Sequence, residues 1–141
     1  MNKFGEFIQF NSTGLPKTRC ELIKRQILSA QKPLVLALNE TFLIENGKRN
    51  LDDLLDLNKL GYKSKTKSRP QGSNPGGGVA IIYRDNLNYK SIKIPKKFQQ
   101  LEAIVCEISG TYINKYTFCT YYNSPKKELN TEFLLHNFKT P

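Results

Sequence analysis

The run Leu34-Val35-Leu36-Ala37-Leu38-Asn39-Glu40-Thr41 decides how the rest of the chain is read. No charge interrupts it before Glu40. A short continuous apolar run of this kind reads as a strand buried on both faces, although periodicity alone does not separate it from a buried helix. Pro33 stands at its start, where a missing N–H is tolerated. Glu40 is then delivered to the end of a buried element, on the rim of a sheet. A carboxylate held on such a rigid element can bind a hard cation such as Mg2+. Taken by itself, a solvated loop acid is the simpler reading, so the flanking sequence has to decide.

Upstream, Glu6-Phe7-Ile8-Gln9-Phe10 alternates weakly and predicts a first strand, broken by turn residues from Asn11 to Pro16. A helix is expected from about Lys17 to Ala30, with Cys20, Ile23, Ile27 and Ala30 on its apolar face and Glu21 paired with Arg25. Strand, helix and strand in this order suggest a βαβ-like unit.

Downstream, Asn50 is a good helix cap, with Asp52 and Asp53 in the first turn, where the helix dipole favours acids. Leu51, Leu54 and Leu55 give this short helix its apolar side, and Gly61 marks its end. Lys63, Lys65, Lys67 and Arg69 alternate with uncharged residues, so in a strand they share one face. Such a stripe can track a phosphate backbone or protect an edge strand from aggregation; the second reading is slightly favoured. The segment from Gln71 to Gly78 is a long turn, and no Lys-Ser or Lys-Thr follows its glycines as a P-loop would require. Strands are expected at Val79–Tyr83, Tyr89–Ile94, Ala103–Ile108 and Tyr116–Tyr122, the last two forming an antiparallel hairpin. A terminal helix is expected from Asn130, with Phe133, Leu134 and Phe138 on its apolar side.

At 141 residues the chain is one domain's worth, and its net charge of +10 favours polyanions, nucleic acid being the commonest. Three cysteines without metal-ligand spacing fit a reduced compartment better than a disulfide framework. No signal peptide opens the chain and no apolar run is long enough to span a bilayer. The expected location is therefore intracellular, in cytoplasm and nucleus, with no membrane partner.

Four pieces stand in order: Phe10-Asn11-Ser12-Thr13-Gly14-Leu15, Ala37-Leu38-Asn39-Glu40-Thr41, Gly76-Gly77-Gly78-Val79-Ala80-Ile81 and Tyr121-Tyr122-Asn123-Ser124-Pro125. Each is weak alone. Together, in this order, they resemble the endonuclease/exonuclease/phosphatase superfamily, and within it most closely the endonuclease domain of non-LTR (LINE-type) retrotransposons. The match runs from about Phe7 to the end of the chain. The resemblance implies an α+β fold, the N-terminal half of a deoxyribonuclease I-like two-sheet α/β sandwich, with mostly antiparallel sheet flanked by helices. It implies hydrolysis of DNA phosphodiesters with Mg2+, or Mn2+ in its place, and, in a full-length protein, a reverse transcriptase in the same polyprotein. Glu40 matches the family's metal-binding glutamate, Asn11 the asparagine that orients it and the phosphate, and Tyr122 the tyrosine near the scissile phosphate. A divalent ion and neutral donors would stabilise charge on the phosphoryl oxygens. Thr13 and Ser124 depart from the family's Asn or Asp and from its first proline. Glu102 stands where many members carry a glutamate, and a strand-end surface acid is its expected role.

The family's later Gly-Asp-Phe-Asn and Ser-Asp-His motifs are absent. His136, the one histidine, lies in an apparent helix without a family motif, so a structural or surface role is expected. Residues 1–141 are thus expected to be a partial domain, truncated before the second sheet. Such a fragment would keep an open apolar sheet face, self-associate, and lack activity alone. A nucleic-acid-binding remnant without catalysis and a small-molecule phosphatase or phosphodiesterase are the alternatives.

Overall fold

A computed structural model describes residues 6–68, 76–98, 101–111 and 113–122. The helix expected from Asn130, His136 within it, the Asn123-Ser124-Pro125 piece and Arg69 lie outside the described residues.

Strand β1 (Phe7–Asn11) runs parallel to β2 (Val35–Asn39), with helix α1 (Lys17–Leu22) and a π-helical continuation (Ile23–Ser29) between them. This is the βαβ unit expected from the sequence. Two short helices follow, α2 (Leu51–Leu54) and α3 (Leu57–Leu60), then the antiparallel pair β3 (Tyr62–Lys67) and β4 (Val79–Arg84). These four strands form one sheet in the order β1-β2-β4-β3. β5 (Asn88–Ser91), β6 (Glu102–Gly110) and β7 (Ile113–Tyr122) form a second, antiparallel sheet in that order.

Alternation along the strands explains the layers. Leu36 and Leu38 of β2 and Ala80 and Ile82 of β4 face the helices, against Ile23, Leu28, Leu55 and Leu57. Val35, Val79, Ile81 and Tyr83 face the other way and meet Ile104, Cys106 and Ile108 of β6. β2 and β4 therefore carry apolar runs because both of their faces are covered. Ala103 and Val105 leave through the far side of the second sheet, against Phe98.

This packing corrects the expectation that the chain stops before a second sheet and leaves an apolar face open. Val79 and Ile81 are fully buried by β6. The strands beyond Tyr83 build a separate sheet that folds back over the first, rather than extending it.

The helix after β1 departs from the sequence reading at one point. From Ile23 its turns widen, and the Ala30 amide donates to the Arg25 carbonyl five residues back, at 3.1 Å. A wider turn brings residue i+5 beneath residue i, so Leu28 joins Ile23 in the core and Ala30 is left exposed. The second helical region behaves as its caps dictate. Asn50 accepts from the Asp53 amide at 2.9 Å, and Gly61 ends the region at φ +86°. Asp56 at φ +50° divides it into two helices.

β3 lies at the margin of its sheet among the described residues, with Lys63 and Lys65 exposed, as an edge strand guarded by lysines requires. No helix of the described residues is long and apolar enough to cross a membrane.

The buried thiols give a pH dependence. Burial pushes Cys106 and Cys119 from the ordinary thiol value of 9.0 up to about 11. The unfolded chain ionises these thiols first, so the folded state holds more protons between the two values. Their stabilisation is complete below about pH 9 and is lost as pH rises through about 11. The thermal midpoint is expected to fall over this window, and less steeply in a Cys106→Ala, Cys119→Ala variant. Equal slopes in the two proteins would contradict the assignment.

Candidate functional site

β1 and β2 end side by side, with Asn11 opposite Asn39 in the parallel register. The chain leaves both strands through sharp turns, and the turns are stitched together. The Ser12 amide donates to the Asn39 carbonyl at 3.0 Å and the Gly14 amide to the Glu40 carbonyl at 2.7 Å. The Ser12 hydroxyl is buried and donates its one proton into the space between the Asn39 and Glu40 carbonyls, at 3.0 and 2.9 Å. Arg19 donates to the Ser12 carbonyl and Arg49 to the Leu15 carbonyl, which fixes the loop from its helix side.

This lattice holds Glu40 at φ +56°, a left-handed conformation that costs a non-glycine residue about 1–3 kcal/mol. The turn places its carboxylate beside Asn11, whose Nδ2 donates to Oε2. The amide is oriented by its other end. Asn11 Oδ1 accepts from the Thr13 amide and from the Thr13 hydroxyl, both at 3.0 Å. With two donors on its oxygen, the Asn11 side chain has only its NH2 to offer Glu40. Thr13 thus serves as an orienting donor.

Two further residues complete the rim. Asn39 receives a hydrogen bond from Gln9 Nε2 on Oδ1 and donates through Nδ2 to the Tyr121 carbonyl at 3.2 Å. It thereby ties the ends of β1 and β2 to the end of β7, where Tyr122 stands. Tyr122 lies opposite Glu102 in the β6–β7 ladder, half-buried, and packs against the cluster between the sheets. Glu102 shares that face with Ile104 and Cys106, and its Oε1 accepts from the Gly78 amide at 2.7 Å. The Gly78 carbonyl in turn accepts from the Thr41 amide at 3.3 Å, and the Gly77 carbonyl from the Phe42 amide at 2.9 Å. Glu102 is therefore an acceptor that fastens the glycine segment beside Glu40, which corrects the expectation of a surface acid.

The structure brings Asn11 and Glu40 into contact and places Tyr122 at the same end of the sandwich through Asn39. Sequence reasoning missed Ser12, Asn39 and the Glu102–Gly78 bond. Only Ser12 left a signal, as a small hydroxyl residue in a turn.

The donor set suits a hard cation. A carboxylate offers about four lone-pair positions, of which Asn11 occupies one. Mg2+ is commonly bound through one or two carboxylates and keeps several waters. Glu40 is the residue that would hold it. Among the described residues, no three His, Cys, Asp or Glu side chains gather into a closed metal cage.

No family model and no curated protein matches the chain. Among solved structures it is similar to the AP endonuclease LMAP from Leishmania major, with a TM-score of 0.58 and 15% identity. That likeness covers 96% of this chain and 45% of the other. It is also similar to the 3' phosphatase NExo from Neisseria, bound to a product DNA hairpin, with a TM-score of 0.51 and 20% identity over 84% of this chain and 44% of that one. The chain thus spans under half the length of either neighbour. What these likenesses establish is the architecture: the chain has the α+β, two-sheet fold of the deoxyribonuclease I-like proteins.

Proposed function

We propose that the chain is the N-terminal half of a metal-dependent phosphodiesterase domain that acts on DNA. The observation that carries this reading is the Asn11–Glu40 pair, fixed at the ends of two adjacent parallel strands of this fold. Glu40 would hold the cation, which would supply charge to offset that building on the phosphoryl oxygens. Asn11 keeps the carboxylate turned to the rim. The Tyr122 hydroxyl donates a hydrogen bond to a phosphoryl oxygen. The finer reading is a retrotransposon-type endonuclease, with a reverse transcriptase on the same polyprotein. Leu38-Asn39-Glu40-Thr41 and Gly76-Gly77-Gly78 support it, and a reading frame continuing into Gly-Asp-Phe-Asn would test it.

A site that holds a metal and a phosphodiester together must couple them, and the coupling is reciprocal. A short duplex oligonucleotide is expected to tighten Mg2+ binding to the chain, and Mg2+ to tighten the oligonucleotide by the same factor. Titration calorimetry in both orders measures this, and independent binding of the two would overturn the proposal. The 141-residue chain alone is expected to leave supercoiled plasmid intact, because catalytic groups that act as a unit fail together. Mg2+-dependent nicking by the purified chain, lost in Glu40→Gln, would show that these residues suffice.

A further inference from the structure

A second feature lies along the side of the sandwich where β3 of one sheet approaches β6 of the other. A cleft of about 700 Å³ runs there. Its walls carry Lys65 and Lys67 from β3, Ser91 from β5, and Lys93 from the segment after β5, over a floor of Ala103 to Val105. One of its cations is held in place by the fold. The Lys65 ammonium sits 5.6 Å from the centre of the Tyr89 ring, which is itself stacked on Tyr83 at 4.9 Å. A lysine held over a ring is partly pre-ordered and keeps a donor for an anion.

The cleft also has a direction. Lys67 lies opposite Val79 in the β3–β4 register, and Val79 follows Gly78. Ala103 follows Glu102, the residue bonded to the Gly78 amide. One end of the cleft therefore opens beside the glycine segment that borders Glu40. We propose that this cleft is a secondary track for the phosphate backbone of a nucleic-acid strand, carrying the strand past Lys93 and Lys65 toward the rim that holds Glu40. The inference rests on the reading above for the identity of the polyanion, and on the cleft alone for its place. It gives the β3 lysines a second role beside edge protection, since side chains that block strand pairing remain able to meet phosphates.

The test uses the 141-residue chain and a fluorescein-labelled duplex oligonucleotide, with anisotropy followed over a series of salt concentrations. Each lost phosphate contact removes about 0.9 from the slope of log K against log salt. Lys65→Ala with Lys93→Ala is expected to make the slope shallower by about 1.8, with the largest loss of affinity at low salt. Lys65→Arg with Lys93→Arg keeps both charges and is expected to restore the slope. Lys32→Ala with Lys59→Ala removes the same charge from the helix side and is expected to change it far less. Thermal midpoints equal to wild type show that the variants fold, and the arginine pair serves if the alanine pair does not. An unchanged slope in the Lys65/Lys93 alanine pair, an equal loss in the Lys32/Lys59 pair, or a slope in the arginine pair as shallow as in the alanine pair would overturn the proposal. Without oligonucleotide, Lys65→Ala with Lys93→Ala is expected to bind Mg2+ as the wild type does, so failure of the cleft and failure of the Glu40 site give different results.

Discussion

Glu40→Gln is expected to weaken Mg2+ binding by tenfold or more, about 1.4 kcal/mol, while leaving thermal stability close to wild type. The two halves of this result have separate causes. Glutamine keeps the length of the side chain and an oxygen that can accept from Asn11 Nδ2, so the local hydrogen bond survives. The main-chain bonds that hold the turn, from Gly14 to the Glu40 carbonyl and from Thr41 to Gly78, do not involve the carboxylate at all. What is lost is the formal charge, and a hard cation is held chiefly by charged oxygen ligands. A variant that bound metal normally would remove Glu40 from the site. A variant that lost metal only by unfolding would show a structural role instead.

Gly78→Ala is expected to cost about 3 kcal/mol of stability, the largest effect of any small substitution near the site. A methyl group there would lie 2.4 Å from Thr41 Oγ1, on a backbone at φ +88° that disfavours any side chain. Thr41 cannot give way freely, because it is buried and its hydroxyl accepts from the Leu43 amide at 3.3 Å. The clash and the backbone strain can be separated. Thr41→Ala removes the obstructing oxygen, so the double variant should be more stable than the sum of the single losses predicts, by about 1 kcal/mol or more. Chemical denaturation of the four proteins gives this coupling. Strict additivity would mean that the close approach of Gly78 to Thr41 does not exist in solution.

The sequence made some of this arrangement legible because certain signals are local. Leu34 to Leu38 named a strand covered on both faces, and such a strand belongs in the middle of a sheet, where β2 lies between β1 and β4. Asn50 and Gly61 marked the ends of a helical region because capping needs only neighbours within a turn. The pairing of β6 with β7 followed from a short turn between two apolar runs. The partition of strands into two sheets was not legible, since an apolar face records that it is covered and not by what. Val79 and Ile81 read the same whether a helix or β6 lies above them. The π-helical turns after Leu22 were hidden for a related reason: Leu28 and Ala30 are both plausible core residues, and only the pitch chooses between them. At the rim, Glu40 and Asn11 were found through ordered motifs, and the structure put them in contact. The bonds from Asn39 to Tyr121 and from Glu102 to Gly78 join residues far apart in the chain, so no local pattern announces them.

The central claim, that Glu40 on its strained turn is a divalent-metal ligand, is met most directly by a Mn2+ titration followed by NMR. Mn2+ substitutes for Mg2+ and broadens the resonances of nearby nuclei. The account predicts that the Asn11 side-chain amide and the backbone amides of Glu40 and Thr41 broaden first, that excess Mg2+ reverses the effect, and that Glu40→Gln abolishes it. Broadening that begins instead at Asp52, Asp53 or Asp56, and persists unchanged in Glu40→Gln, would contradict it.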